Sequence, residues 1–462
     1  MKCWKISLLV ALLFAPVCSE EFELEIISSP THGLYYTLEC LMNAPHRSEE
    51  LAESFRGRVG NWYPVQKAMD QWRKSLEGDE LSTLRFPRVQ GRTPNLVSVL
   101  EKVSLQSNDA ADMAQRVSPW LGPDHARSLL KVLTTVEPLY QQYWWSEAAP
   151  LMEKRMAEVA AQLEQGDFSD SFERAARFYD GQLPPGERPT LALVPYLRMP
   201  GQSRVGTHGH SAGSLQVMEL VVDRPVDDDV GVVFHEFVHA LYAGQREEER
   251  QRWEERFASH GLWGKLAYAK LNEGLATALG NGWFQEKVLG ELDNGSWYSD
   301  PVIDTYGKAL LPVIREAVEA GRPPTDQELD RMVEAFRESL PDAADDFNVV
   351  GAEILTVSSR EEINHARFQD ALMRLGPVRS SRARDWEAEP VTVATFRLYW
   401  LLPGERGKLA DLGWSESDRT GWETHRLRQT ESGWELAFEG DHEVLFALLG
   451  RLQREGLSEH SD

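Results

Sequence analysis

Cysteine is scarce in this chain. Three occur in 462 residues, Cys3, Cys18 and Cys40, and the first two fall in an N-terminal segment that reads as a leader. The one left, Cys40, has no partner for an internal disulfide, which excludes a disulfide-stapled scaffold even for an exported protein. It sits in the apolar stretch Tyr36–Met42 and reads as a packed thiol. Long apolar runs are also missing. The longest, Ile6 to Val17, has twelve residues, short of the roughly 20 that a membrane-spanning helix needs. Positive charge is in deficit, with 49 Lys and Arg against 73 Asp and Glu and a formal charge of −24. That balance repels nucleic acid and anionic membranes. No internal repeat or low-complexity tract is visible, so the chain reads as a folded globular protein of two or three domains.

The N-terminus has the layout of a secretory signal peptide over residues 1–19. Lys2 and Lys5 precede the apolar run, Pro16 stands near its end, and Val17 and Ser19 suit the −3 and −1 positions of a cleavage site. A polar chain begins at Glu20-Glu21. The expectation is a secreted or periplasmic protein with no transmembrane segment after cleavage. Cys18 offers lipid anchoring as the alternative, but Ala15-Pro16-Val17 ahead of it fits a lipobox poorly. Loss of two lysines and no acid would take the mature chain from −24 to −26.

Hydrophobic periodicity divides the remainder into three textures. Residues 20–190 read as a helical N-terminal region, with helical spacing in Leu151, Met152, Met156, Val159 and Leu163. Tyr140, Tyr143, Trp144 and Trp145 form an aromatic cluster expected in the core. Residues 191–340 open with two strand-like segments, 191–197 and 214–222, joined by a Gly-rich loop that contains His208 and His210. Helical patterns follow at 230–243, 262–288, 303–320 and 326–340. Residues 341–462 read as a small α/β domain, with strands at 347–357 and 391–402, a helix at 361–375, a hairpin turning at Ser432-Gly433 and a closing helix at 442–455. The fold class predicted is α-rich α+β.

Chemistry concentrates in the 230–243 helix. It contains His235-Glu236-Phe237-Val238-His239, and its other neighbours carry no strongly polar side chain. Histidines at i and i+4 project from one side of a helix, one turn apart, and can reach one zinc ion. A helix apolar all round is buried, and burying two imidazoles and a carboxylate costs several kcal/mol unless each has a partner. A single Zn2+ satisfies all three. Farther on, Glu273 stands in the apolar stretch Leu271-Asn272-Glu273-Gly274-Leu275-Ala276. It would complete three protein ligands and leave a fourth position open, the arrangement of catalytic zinc. Gly274 costs a helix roughly 1 kcal/mol relative to Ala, which a close helix–helix or backbone–metal approach would offset. The expected function is hydrolysis of a peptide or protein substrate.

His235-Glu236-x-x-His239 followed by Asn272-Glu273-Gly274-x-Ala276 resembles the gluzincin metallopeptidases, the group of thermolysin and the zinc aminopeptidases. The resemblance covers roughly residues 205–310. It implies a gluzincin-like catalytic domain with a small sheet before the zinc helix. It further implies His235, His239 and Glu273 as zinc ligands, Glu236 as general base and a later Tyr or His as oxyanion donor. Tyr306 is the candidate donor, with Tyr298 second. An edge strand ahead of the zinc helix, sought here around Leu215–Leu220, would pair with extended substrate. Thr277 replaces the Asp that thermolysin-like enzymes place four residues after the glutamate ligand. The metzincin pattern fails at Tyr242 and Gln245. The alternatives are a non-catalytic exported zinc protein acting as a binding module, and a zinc hydrolase of a non-peptide amide. No Cys lies near the motif, which argues against a structural zinc.

Overall fold

The computed structural model describes residues 4–9, 23–42, 47–76, 96–183, 187–199, 202, 208–224, 226, 230–344, 352–356, 383–385, 396–401, 404, 406–420, 423–430, 433–440 and 442–455. It is helix-rich with two small mixed sheets, which is the α-rich α+β class. Among the described residues no helix is long and apolar enough to cross a membrane. The chain divides into two compact units. One comprises Met1–Gln245, Leu279–Gly295 and Ala320–Arg322; the other comprises Arg246–Ala278, Ser296–Glu319 and Pro323–Asp462.

The first unit is built on a five-stranded sheet of order β1-β2-β3-β5-β4. Its strands are β1 (Trp4–Leu9), β2 (Glu23–Ser28), β3 (Thr190–Tyr196), β4 (Gly209–Ala212) and β5 (Leu215–Val221). β3 lies parallel to both β2 and β5, with Ile26 opposite Leu191 and Leu191 opposite Gln216. β1 and β4 close the two edges antiparallel to their neighbours. β3 and β5 are buried along almost their whole length, as central parallel strands require.

Among the described residues, eight α-helices lie between β2 and β3: α1 (Pro30–Leu41), α2 (Glu49–Val59), α3 (Tyr63–Leu76), α4 (Leu96–Gln106), α5 (Ala110–Leu121), α6 (Pro123–Tyr140), α7 (Ser146–Gln165) and α8 (Phe168–Tyr179). α1 begins where the sequence signals a start, with Pro30 in its first turn and the Ser29 hydroxyl accepting from the His32 amide. Tyr140, Trp144 and Trp145 are buried, and Trp144 donates to the Pro195 carbonyl at 2.9 Å. Three of the four aromatics expected in the core are there, and Tyr143 is half-buried. The domain boundary anticipated near residue 190 does not separate two bodies, because β2 pairs with β3 inside one sheet. Trp4–Leu9, within the segment read as a leader, forms the outermost strand β1, and residues 10–22 lie outside the described residues.

Helix α9 (Val230–Ala243) packs under β4 and β5. The acids Asp227 to Asp229 that precede it lie outside the described residues. Phe234 and Phe237 meet Phe168 edge-on at ring distances of 5.7 and 5.2 Å, and Phe284 stacks on Phe234 at 4.4 Å. These aromatic contacts hold one face of α9 in the core.

In the second unit, α10 (Glu247–Ala258), α11 (Gly261–Ala276), α13 (Pro301–Glu319) and α14 (Asp326–Ser339) pack together; the short α12 (Gln285–Leu289) belongs to the first unit. A capping box, Thr325 with Glu328, starts α14. α11 and α13 come close because Gly274 has no side chain. A Cβ there would lie 2.8 Å from Tyr306 Cδ1 and 3.0 Å from Leu310 Cδ1. Of the two explanations for Gly274, helix packing is the one observed.

The C-terminal sheet of this unit has the order β7-β6-β8-β10-β9, from β6 (Ala352–Thr356), β7 (Ala383–Asp385), β8 (Phe396–Leu401), β9 (His425–Thr430) and β10 (Gly433–Glu439). β9 and β10 form the expected hairpin, and the helix His442–Glu455 closes the chain. Tyr399, Leu401, Leu409, Trp414 and Ala437 make its core. The helix anticipated at 361–375 lies outside the described residues.

Candidate metal centre

α9 presents both imidazoles on one side, and they converge. His239 Nε2 lies 3.0 Å from His235 Nε2. Two nitrogens bound to one tetrahedral zinc at 2.0–2.1 Å stand roughly 3.3 Å apart, so the pair is spaced for a shared ion. His235 is 4 % and Glu236 7 % exposed. Among the described residues, His235, Glu236 and His239 form the one group of three His, Cys, Asp or Glu whose ligand atoms all lie within 4.8 Å of one another.

The tautomer of His235 follows from its other nitrogen. His235 Nδ1 faces the side-chain oxygen of Asn281 at 3.1 Å. An amide oxygen only accepts, so Nδ1 carries the hydrogen and Nε2 keeps a lone pair, which faces His239 Nε2. Asn281 belongs to a π-helical stretch, Thr277–Phe284, which follows α11 directly. π-Helical turns are common at functional sites because they re-aim side chains.

Asn281 gets close to His235 because two glycines let the backbones touch. A Cβ on Gly280 would lie 2.6 Å from the Gly231 carbonyl oxygen and 2.6 Å from the His235 nitrogen. A Cβ on Gly231 would meet Gln285 Oε1 at 2.7 Å and the Gly280 carbonyl at 3.1 Å. Asn281, not Thr277 at the position of the expected Asp, is the side chain that meets His235 Nδ1. Thr277 is fully buried, and its hydroxyl has no hydrogen-bond partner among the described residues. The available signal was a lone amide between two glycines in an otherwise apolar helix.

Glu236 faces strand β4. A Cβ on Gly209 would lie 2.8 Å from both Cγ and Oε1 of Glu236, so the strand's backbone lies directly against the side chain. The outer strand on this side is therefore β4 (Gly209–Ala212), and β5, where the edge was sought, is internal. The Glu219 amide donates to the His208 carbonyl at 2.9 Å, and His210 pairs with Val217. By antiparallel alternation, His208, His210 and Ala212 bond to β5, and the amides and carbonyls of Gly209 and Ser211 point outward.

His210 turns inward from β4. Its Nε2 meets Glu101 Oε1 at 2.6 Å, and its ring stacks on Tyr36 with centroids 6.0 Å apart. His208 lies at the surface, 3.5 Å from Glu50. The two loop histidines are thus drawn to different carboxylates.

The remaining predicted residues lie in the second unit. Glu273, on α11, is half-buried, and the Tyr298 hydroxyl donates to its Oε2 at 3.1 Å. Tyr298 is held in turn by Asp304, whose Oδ1 accepts from the Trp297 and Tyr298 amides at 2.6 and 3.2 Å. Burial pushes the Asp304 carboxyl up, but Lys308 and those amides outweigh it and leave the group below its usual range. Tyr306 is placed differently from the expectation. It is fully buried, packed on Gly274, and its hydroxyl donates to the Met332 carbonyl at 3.3 Å. The sequence offered two tyrosines, and the one that touches Glu273 is Tyr298.

Comparison with family models, with curated proteins and with solved structures found no match for this chain.

Proposed function

We propose that this protein is an exported, zinc-dependent peptidase of the gluzincin kind. The observation that carries the proposal is the convergence of the Nε2 atoms of buried His235 and half-buried His239 at 3.0 Å, with the carboxylate of buried Glu236 beside them. Zinc, when bound, would polarise the scissile carbonyl and acidify water. His235 and His239 would hold it through Nε2, and Asn281 fixes the His235 tautomer by accepting from Nδ1. Glu273 is assigned as third ligand from the Asn272-Glu273-Gly274 motif. Glu236 takes a proton from the attacking water and delivers it to the leaving amine. Tyr298 replaces Tyr306 as the candidate oxyanion donor, because its hydroxyl reaches the Glu273 carboxylate. The outward amides and carbonyls of β4 suit an extended peptide backbone, laid beside the base at Gly209.

Export through residues 1–19 belongs to the same proposal. Cleavage there would remove β1, an edge strand, and leave the β2-β3-β5-β4 pairing intact. The test is a mixed peptide library incubated with the protein, with and without a chelator, alongside Glu236→Gln. Chelator-sensitive cleavage that Glu236→Gln abolishes is the expected result. A zinc-loaded protein that cleaves no peptide would favour a binding module, or hydrolysis of another amide.

A further inference from the structure

Behind β4 lies a buried charged network that the reaction does not use. Arg47 bridges Glu39 Oε2 at 2.8 Å and Glu101 Oε1 at 2.6 Å, with all three side chains only 1–2 % exposed. The guanidinium also lies 5.1 Å over the Tyr36 ring, on which His210 stacks. His210 Nε2 reaches the same Glu101 oxygen. A carboxylate oxygen accepts, so the His210 ring carries its hydrogen on Nε2 and donates to Glu101; among the described residues its buried Nδ1 has no partner. Burial disfavours the charged form of His210, consistent with a neutral donor.

Such networks are poor investments in stability, since desolvating buried ions offsets most or all of their attraction. Its location suggests another use. β4 has four residues, pairs among the described strands with β5 alone, and carries Gly209 against Glu236. Successive residues of a strand face opposite ways. His210 therefore reaches inward to Glu101 while its neighbour Gly209 bears on Glu236. Glu101 sits on α4 and Arg47 just ahead of α2, so the anchor belongs to the helical layer, not to the sheet.

We infer that Glu101 and His210 are a positioning couple, which clamps β4 so that Gly209 fixes the carboxylate of Glu236 and the outer edge of the strand keeps its register for substrate. The inference deepens the peptidase reading and rests on it for its catalytic part. The couple touches neither substrate nor metal. It acts through a strand that, with so few residues and one neighbour, is otherwise weakly held.

Two substitutions separate clamping from general stability. His210→Phe keeps a ring on Tyr36 but cannot bond Glu101. His210→Gln restores an N–H donor at a similar reach. Amide hydrogen exchange read at His210 and Ala212, and kcat and KM on a cleaved peptide, are measured on the full chain with its zinc content. His210→Phe should exchange at least tenfold faster in β4, with β3 and β5 unchanged. It should lose at least tenfold in kcat with KM within twofold and zinc retained, and His210→Gln should recover most of both. Wild-type exchange and kcat in His210→Phe would overturn the inference. So would faster exchange spread evenly over β3, β4 and β5, which marks general destabilisation. Should the wild type cleave no peptide, the peptidase reading falls, and the exchange arm still decides whether the couple holds β4.

Discussion

Gly209→Ala probes the site with a single methyl group. A Cβ at this position would lie 2.8 Å from Cγ and Oε1 of Glu236 and 3.0 Å from Cδ. Ordinary contacts begin near 3.4 Å, so side chain or strand must move by about 0.6 Å. The struck atoms belong to a side chain with rotatable bonds, not to backbone. The fold is therefore retained, at a cost of roughly 1–3 kcal/mol for overpacking. A base displaced by such an amount is a much larger loss, since misplacement near 1 Å costs about 100-fold in rate. The assay is steady-state cleavage of a fluorogenic peptide, with zinc content and thermal midpoint measured on the same samples. The prediction is a fall in kcat of about 10- to 100-fold with stoichiometric zinc and a cooperative unfolding transition. A variant that keeps kcat within twofold while folded and metal-loaded would refute the claim that Gly209 bears on Glu236, the proposed base.

Gly280→Ala drives a methyl into the backbone of Gly231 and His235, which cannot yield as a side chain does; it should destabilise by about 3 kcal/mol or more, read by urea denaturation. Asn281→Leu removes the acceptor for His235 Nδ1; zinc affinity should fall about 10- to 100-fold in a competition titration with the fold intact. Glu219→Gln tests a buried acid whose carboxyl is pushed up to about 8 by burial. From about pH 4.5 to 8 the unfolded chain has lost that proton while the folded chain keeps it, so stability falls as pH rises. Glu39, raised by burial to about 7 despite Arg47, acts in the same direction. The variant should lose a few kcal/mol less than wild type over this window, and identical pH slopes would show that Glu219 is already ionised in the fold.

The motif helix was legible because its pattern is local. Apolar neighbours on every side of His235 and His239 announce a buried helix, and the structure buries His235 and Glu236, and His239 in part. The β9–β10 hairpin was readable for the same reason, since its turn and alternation lie within a few residues. β4 was not. Gly-His-Ser-Ala has no β-branched or aromatic residue, and only pairing with β5 and the His210 anchor make it a strand. β2 was hidden because its partner β3 lies about 160 residues on, beyond a long helical stretch, and their pairing also removed the expected boundary at residue 190. Asn281 escaped because its role depends on the crossing of Gly231 and Gly280, a contact that no spacing in the sequence reveals. Tyr306 and Tyr298 were separable only by which hydroxyl a packed helix had already engaged.

The central claim is that His235 and His239 hold one metal ion from a single buried helix. Zinc content, measured by mass spectrometry after dialysis of purified wild type, Glu236→Gln and His239→Ala, tests it directly. The account predicts about one zinc per chain in wild type and Glu236→Gln, and less than about a tenth of that in His239→Ala with the protein folded. A wild type that retains no zinc, or a His239→Ala variant that retains a full equivalent, would contradict it.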